Sequence, residues 1–310
     1  MTFAASRHAV EYLLANPHKG LSPIKLASDA GDLAAVLLGT ASLSFYATEI
    51  VFCEGESDSL DSRFYSAWFN EKQVVVQAVG SCDMVMRSVS ALQSSELVLN
   101  LQIDGIIDRD FHSDGRMATL PAGVHPLEVH EVETLFCLPG VVAAVAKHLG
   151  TEFDAGSYEQ SVVSAYSDED RDRVVIERWK VRVERELGKI VSSVSTKSES
   201  LQSITAALPT IFDQTTWSVS PQTILAEEKA RVENLFNVER PNVLEIMMIM
   251  PGKNLRALPP GVVGMKPSAY DKLVINALRA EERKLKQLGE DLRTALKPSI
   301  PAGHQTPAET

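Results

Sequence analysis

Short β-branched and aromatic runs recur between stretches patterned as helices, and this alternation constrains the fold more than any other feature of the chain. Thr48-Glu49-Ile50-Val51-Phe52-Cys53 reads as a buried strand entering a turn at Glu54-Gly55. A helix capped by Ser57 or Asp58 should follow, because Leu60, Phe64, Trp68 and Phe69 recur along one face. Val74 to Val79 reads as a second strand closed by Gly80-Ser81, and Met84 to Leu92 as a second helix. The third strand, Leu99 to Ile107, runs straight into Asp108-Arg109-Asp110. Gly123 to Val129 reads as a fourth, with Glu133 opening a helix over Val141 to His148. Strands joined through helices predict right-handed βαβ units around a mainly parallel sheet, with active groups at the carboxyl ends of the strands.

Either side of this core the pattern is helical. Residues 7–15 and 32–38 have apolar spacing that fits two short helices, so 1–44 is expected to be a helical lead-in to an α/β domain over 45–150. Residues 151–298 predict a mostly helical domain for substrate or partner binding and dimerisation. Its elements are a charged helix over Asp168–Lys189 capped by Ser167 with Asp170, a helix opened by Ser220-Pro221 and running to Phe236, and one long helix from Ser268 to Leu296. Residues 299–310 read as a disordered tail, and Met247-Met248-Ile249-Met250 as core packing.

Composition narrows the function. A chain of 310 residues with 45% hydrophobic and 23% charged residues has the make-up of a folded globular protein. The longest nearly uncharged apolar stretch, Leu135 to Ala146, contains Pro139 and Gly140 and falls well short of the ~20 residues that span a bilayer, so no membrane span is expected. The first residues lack the pattern of a secretory signal, and the expected location is cytoplasmic. Cys53, Cys82 and Cys137 are odd in number and embedded among apolar neighbours, which suits buried thiols in a reducing compartment and excludes a four-cysteine zinc site. Net charge is −11, with 9 Lys+Arg against 24 Asp+Glu in residues 1–170 and 21 against 17 in 171–310. If the protein handles nucleic acid, the second half must supply the phosphate grip and the acidic half must use metal. No GxxxxGK[ST], GxGxxG, GxSxG or HExxH motif occurs, so nucleotide hydrolysis, dinucleotide redox chemistry, serine hydrolysis and zincin chemistry lose their usual sequence support.

The candidate chemistry is carried by Glu54, Asp108 and Asp110. Residues two apart in a strand point to the same side, so Asp108 and Asp110 can present two carboxylates just beyond the third strand. Glu54 occupies the equivalent end of another strand, before a glycine that permits close approach. Clustered carboxylates repel one another, and hard oxygen ligation of Mg²⁺, with Mn²⁺ as a substitute, resolves the repulsion. Such a metal could orient a phosphodiester and activate water. The same acids could instead cap helices or face solvent. His112, His125 and His130 lie near the acidic segment and read first as structural histidines, with assistance in proton transfer as the alternative. Arg171, Arg173, Arg178, Lys180, Arg182, Arg185 and Lys189, interleaved with acids, read first as a solvated helix face and second as part of a nucleic-acid groove.

The run Ile50-Val51-Phe52-Cys53-Glu54-Gly55, Asp58 before the next helix, and Ile107-Asp108-Arg109-Asp110-Phe111 resemble the Toprim domain. With His130-Glu131-Val132-Glu133 before an apolar helix and a late Pro251-Gly252-Lys253, the pattern is similar to the Toprim-like nuclease family encoded beside ABC-type ATPases in bacterial defence loci. The nuclease effector of the PARIS anti-phage system belongs to that family, and OLD-family nucleases are more distant. The resemblance spans residues 48–150. It implies a Toprim-like, Rossmann-like sheet and metal-ligand roles for Glu54, Asp108 and Asp110, with Glu54 also able to act as general base. Asp58 and Glu133 would be further metal ligands, and Lys253 and Arg109 substrate contacts. It further implies a toxic endoribonuclease that cleaves tRNA, restrained by an ATPase partner and active as a homodimer. An OLD-like DNA nuclease and a non-catalytic regulatory subunit that binds the ATPase are the alternatives.

Overall fold

The computed structural model describes residues 11–16, 20–25, 48–69, 74–94, 102–112, 114–192, 219–279 and 283–301, the first two segments as backbone only. Strands β1 (Glu11–Asn16) and β2 (Gly20–Lys25) pair antiparallel, with Glu11 opposite Lys25. This overturns the helix expected over 7–15. Two apolar runs flank Asn16-Pro17-His18-Lys19-Gly20, a sequence rich in turn formers, and pairing across a hairpin outweighed the weak helical spacing. Pro23 is tolerated because both strands of a two-stranded ribbon are edges. The helix expected over 32–38 lies outside the described residues.

The central sheet has four parallel strands, β3 (Glu49–Cys53), β4 (Val74–Ala78), β5 (Gln102–Ile107) and β6 (Val124–Pro126), in the order β4-β3-β5-β6. Val51 is opposite Val76 on one side and Asp104 on the other. Helix α1 (Leu60–Trp68) leads from β3 outward to β4, and α2 (Cys82–Gln93) returns past β3 to β5. Right-handed crossovers in opposite directions place their helices on opposite faces of a sheet, and the core shows both layers. Ile50, Phe52, Ile103 and Ile107 pack with Val85, Val89 and Leu92 of α2. The alternate residues Val51, Cys53 and Ile106 pack with Phe64, Tyr65 and Trp68 of α1. Gly105 permits the tight seating of α2, since a Cβ there would lie 2.6 Å from Val85 Cγ1.

The cap of α1 is Ser59 and not Ser57 or Asp58: its Oγ accepts from the Ser62 N–H at 3.2 Å. After α3 (Asp114–Met117) and β6 the chain is helical. The single helix expected from Glu133 is two, α4 (Val132–Leu135) and α5 (Pro139–Leu149), because Pro139 has no amide hydrogen to continue the first and suits the start of the second. Then come α6 (Ala155–Ser164), α7 (Asp168–Ser192), α8 (Pro221–Phe236), α9 (Val243–Ile249), α10 (Leu258–Val262), α11 (Pro267–Arg279) and α12 (Lys286–Leu296). Ser167 and Asp170 form the expected capping box, with Asp170 N–H donating to Ser167 Oγ at 3.2 Å and Ser167 N–H to Asp170 Oδ2 at 3.1 Å. Part of the charge on α7 is structural and not solvated. Buried Arg178 and Glu228 pair at 2.6 Å, and Arg182 donates to the same Glu228 at 2.6 Å, fastening α7 to α8. Among the described residues no helix is long and apolar enough to cross a membrane.

The long helix expected from Ser268 to Leu296 is a pair, α11 and α12, packed on each other. Two apolar stripes, Tyr270-Val274-Leu278 and Leu288-Leu292-Leu296, are both buried, and folding back lets each cover the other across the charged connection. Nor does the core divide at residue 150. One apolar cluster runs from Val51 through α1, α5 and α11 to Ile300, so the helical region and the sheet share it. Residues 299–301, expected to belong to a tail, are packed instead: Ile300 is fully buried, and Glu128 N–H donates to Ser299 O at 3.2 Å. Residues 302–310 lie outside the described residues.

The close approach of α11 and α12 rests on Gly289, where a Cβ would lie 2.3 Å from the Ala277 carbonyl oxygen. Gly289→Ala is therefore expected to destabilise the fold by about 1–3 kcal/mol despite its better helix propensity, read as a lowered midpoint in thermal or urea unfolding. An unchanged or raised midpoint would show that the helices can part without cost.

Candidate metal centre

The sheet order makes β3 and β5 neighbours at the point where the chain's direction across the sheet reverses, with β4 built on one side and β5 and β6 on the other. The carboxyl ends of the strands splay apart at such a point and leave a crevice. Glu54 follows the last residue of β3 and Asp108 the last residue of β5. They meet across the crevice: the Asp108 N–H donates to Glu54 Oε1 at 2.9 Å. Gly55 makes the exit possible. Its φ is +84°, it exchanges two backbone hydrogen bonds of 2.7 and 2.9 Å with Gly80, just past the end of β4, and a Cβ on it would lie 2.4 Å from Ser59 Oγ.

Asp110 is a non-glycine residue with positive φ (46°), a conformation that Asp adopts more readily than most residues. Its N–H donates to the His130 carbonyl at 2.9 Å, which ties the Asp108–Asp110 turn to the segment preceding α4. That segment brings buried Glu131 and half-buried Glu133 toward the crevice. Glu131 Oε1 accepts the Lys253 backbone N–H at 2.9 Å, and its Oε2 lies 3.2 Å from Lys253 Nζ. Gly252 permits this docking, because a Cβ on it would lie 2.3 Å from Thr134 Oγ1 and 2.6 Å from the Thr134 amide nitrogen.

Burial and mutual repulsion govern the electrostatics. The Glu54 carboxyl is pushed up to about 7 by burial, with Asp110 and Asp61 adding to the rise and the N–H groups of Asp108 and Cys82 opposing it. Asp108 is held well above the usual carboxylate range by burial and by Asp61, Glu54, Asp110 and Glu133. Asp110 is raised by burial and Glu133 against the pull of Lys253, and Asp61 is raised to about 6 by burial, Glu133 and Glu131. Three buried side chains here have polar atoms with no hydrogen-bond partner among the described residues: Tyr65 Oη, Thr134 Oγ1 and both ring nitrogens of His130. Burial drives His130 down to about 3.

Glu54, Asp108, Asp110 and Glu133 are thus brought into one electrostatic neighbourhood, with Lys253 beside them and Arg109 half-buried between the two aspartates in sequence. Asp58 is not part of it. It lies before the Ser59 cap and is exposed, whereas Asp61, in the first turn of α1, faces the acids. The missed signal was spacing: Asp61, Phe64, Tyr65 and Trp68 share the buried stripe of α1, so a carboxylate there had to be facing something. Glu131 was missed for the same reason, as a buried acid opening a short helix. Repelling, poorly solvated carboxylates together with orphaned polar atoms fit a divalent cation, which Glu54, Asp108 and Asp110 could hold through oxygen. Compared with models of known protein families and with curated proteins, the chain matches none.

For the metal-free protein the pH dependence has a definite sign. A carboxyl whose folded pKa lies above its unfolded value of 4.5 holds its proton more tightly when folded, so stability falls as pH rises from there through about 7. Glu54→Gln keeps the acceptor oxygen and removes the charge. It is expected to melt higher than wild type near pH 8 and to converge with it near pH 4; a wild type as stable as the variant near pH 8 would contradict an ionised, desolvated Glu54.

Proposed function

We propose that the chain is a Mg²⁺-dependent phosphodiesterase of Toprim-like build, an endoribonuclease for which tRNA is the favoured substrate. The observation that carries the reading is the position of Glu54 and Asp108 at the carboxyl ends of the two strands that flank the reversal of sheet order, hydrogen-bonded to each other and coupled to Asp110. The order Glu-Gly, Asp-x-Asp, His-Glu-x-Glu and Gly-Lys resembles the Toprim-like effectors of ATPase-controlled defence systems. That resemblance brings with it an ABC-type ATPase as partner, a cytoplasmic location and an active homodimer.

Glu54, Asp108 and Asp110 would hold the cation, which when bound supplies a water of lowered pKa and neutralises charge on the leaving oxygen. The residues do the rest. Glu54, poised at about 7, can take a proton at its carboxylate near neutral pH. Lys253, with a mostly exposed side chain beside Glu131, presents an ammonium to a phosphate entering the crevice. The open space at the Cβ position of Gly80 leaves the crevice edge clear for a sugar-phosphate chain. Farther away, Arg182, Arg185, Lys189 and Arg231, with Glu186 and Glu228 among them, line a cleft of about 340 Å³ beside Gly115, where the second half of the chain could grip phosphate.

With Mg²⁺ present, purified protein or its complex with the neighbouring ATPase is expected to fragment tRNA, and Asp108→Ala, folded by circular dichroism, to lose that cleavage at least ~100-fold, the scale at which single catalytic groups act. Retained cleavage in Asp108→Ala overturns the assignment of the site. Cleavage of DNA in place of RNA moves the reading to an OLD-like DNA nuclease. The acidity of residues 1–170 favours a second reading, a non-catalytic subunit docking a basic ATPase face. ATPase capture unaffected by Glu54→Ala, with no cleavage of either nucleic acid, would establish that one.

A further inference from the structure

We propose that Asp110, His130 and Glu131 form a second cation site with one nitrogen and two oxygen donors, which takes Mn²⁺ or Zn²⁺ in preference to Mg²⁺. It shares Asp110 with the centre described above, but its donor set is different and its occupancy does not depend on cleavage. One ligand atom from each of the three residues lies within 4.8 Å of the other two. Donors at about 2.1 Å from a common metal stand roughly 3–3.5 Å apart, so small side-chain rotations close the set.

The second observation is the histidine. His130 is 1% exposed, and neither ring nitrogen finds a hydrogen-bond partner among the described residues. Buried imidazoles are ordinarily satisfied, and a fully orphaned one calls for an unseen partner. The ring cannot swing out to water to find one. Its backbone N–H donates to Met247 O at 2.9 Å, its carbonyl accepts from Asp110 N–H at 2.9 Å, and the Phe111 ring stands edge-on at 4.9 Å between centroids. Nδ1 is left 4.0 Å from Glu131 Oε2, too far for a hydrogen bond and suited to a shared ion. Burial keeps the imidazole neutral, the form that ligates.

A cation already stands at the mouth of this group, since Lys253 Nζ is 3.2 Å from Glu131 Oε2. Its side chain is 68% exposed and can withdraw along its flexible stem while its backbone stays docked on Glu131 Oε1. Lys253 therefore competes with a metal for Glu131. One imidazole with two carboxylates suits Mn²⁺ or Zn²⁺, whereas Mg²⁺ favours an all-oxygen octahedron that keeps several waters.

The test uses the full-length protein loaded with Mn²⁺ alone and read by pulsed electron paramagnetic resonance. Nitrogen modulation of the Mn²⁺ echo is expected in the wild type, lost in His130→Gln, and displaced by stoichiometric Zn²⁺ but not by a large excess of Mg²⁺. Absence of nitrogen modulation in the wild type, its persistence in His130→Gln, or equal displacement by Mg²⁺ would overturn the proposal. Because His130→Gln alters a buried position, Lys253→Ala provides an independent arm at an exposed side chain: it should tighten Mn²⁺ binding several-fold, and unchanged or weaker binding counts against the site. A nitrogen signal without nuclease activity would sink the nuclease reading alone, and Mg²⁺-dependent cleavage without a nitrogen signal would sink this one alone.

Discussion

Carboxylates that the sheet forces together and holds out of water set the terms for this structure. Glu54 and Asp108 end adjacent parallel strands, so the register that buries Val51, Cys53 and Ile106 also fixes the distance between the two acids. The fold does not relieve their repulsion by turning one outward; it locks them with the Asp108 N–H to Glu54 hydrogen bond and adds Asp61, Asp110 and Glu133 around them. An arrangement of this kind is unfavourable when the acids are ionised, and the apolar packing on both faces of the sheet must exceed that cost for the chain to fold.

Much of this was legible in the sequence because it is written with local signals. The β-branched runs at 49–53, 74–78 and 102–107, the Ser220-Pro221 helix start and the Ser167–Asp170 capping box all depend on residues close together in the chain. So does the placement of Glu54, Asp108 and Asp110 at strand ends. The errors came where tertiary contacts decide between local options. The hairpin at 11–25, the break between α11 and α12, and the continuity of the core past residue 150 each depend on a partner far away or on a pairing that no short window contains. Asp58 and Asp61 show the same limit on a smaller scale: both are acids near a helix start, and only the identity of the cap, Ser59, decides which of them turns inward.

The site is also composite in a way that spacing along the chain conceals. Lys253 comes from the short 3₁₀ turn after α9, and the carbonyl of Met247 in α9 anchors the backbone of His130. Tyr166, before α7, donates through its hydroxyl to the Pro251 carbonyl at 3.1 Å, steadying the turn that delivers Lys253. The helical region therefore does more than cover one face of the sheet, since it supplies the cation that balances the acids.

The Arg293 guanidinium, on α12, donates to the Trp68 carbonyl at the end of α1 at 2.7 Å, across 225 residues of sequence, while also reaching the Leu278 carbonyl at 2.9 Å and stacking over the Trp68 ring at 5.2 Å. The helix that joins the first two strands of the central sheet thus has its C-terminal carbonyls satisfied by one of the last helices. Closing so long a loop must precede the reward of the contact, so this contact cannot form until nearly the whole chain is present. A nascent or shortened chain that contains every acid of the crevice, but ends before α12, would have the carboxylates without the frame that holds them together. Assembly of the acidic crevice is thereby coupled to completion of the fold.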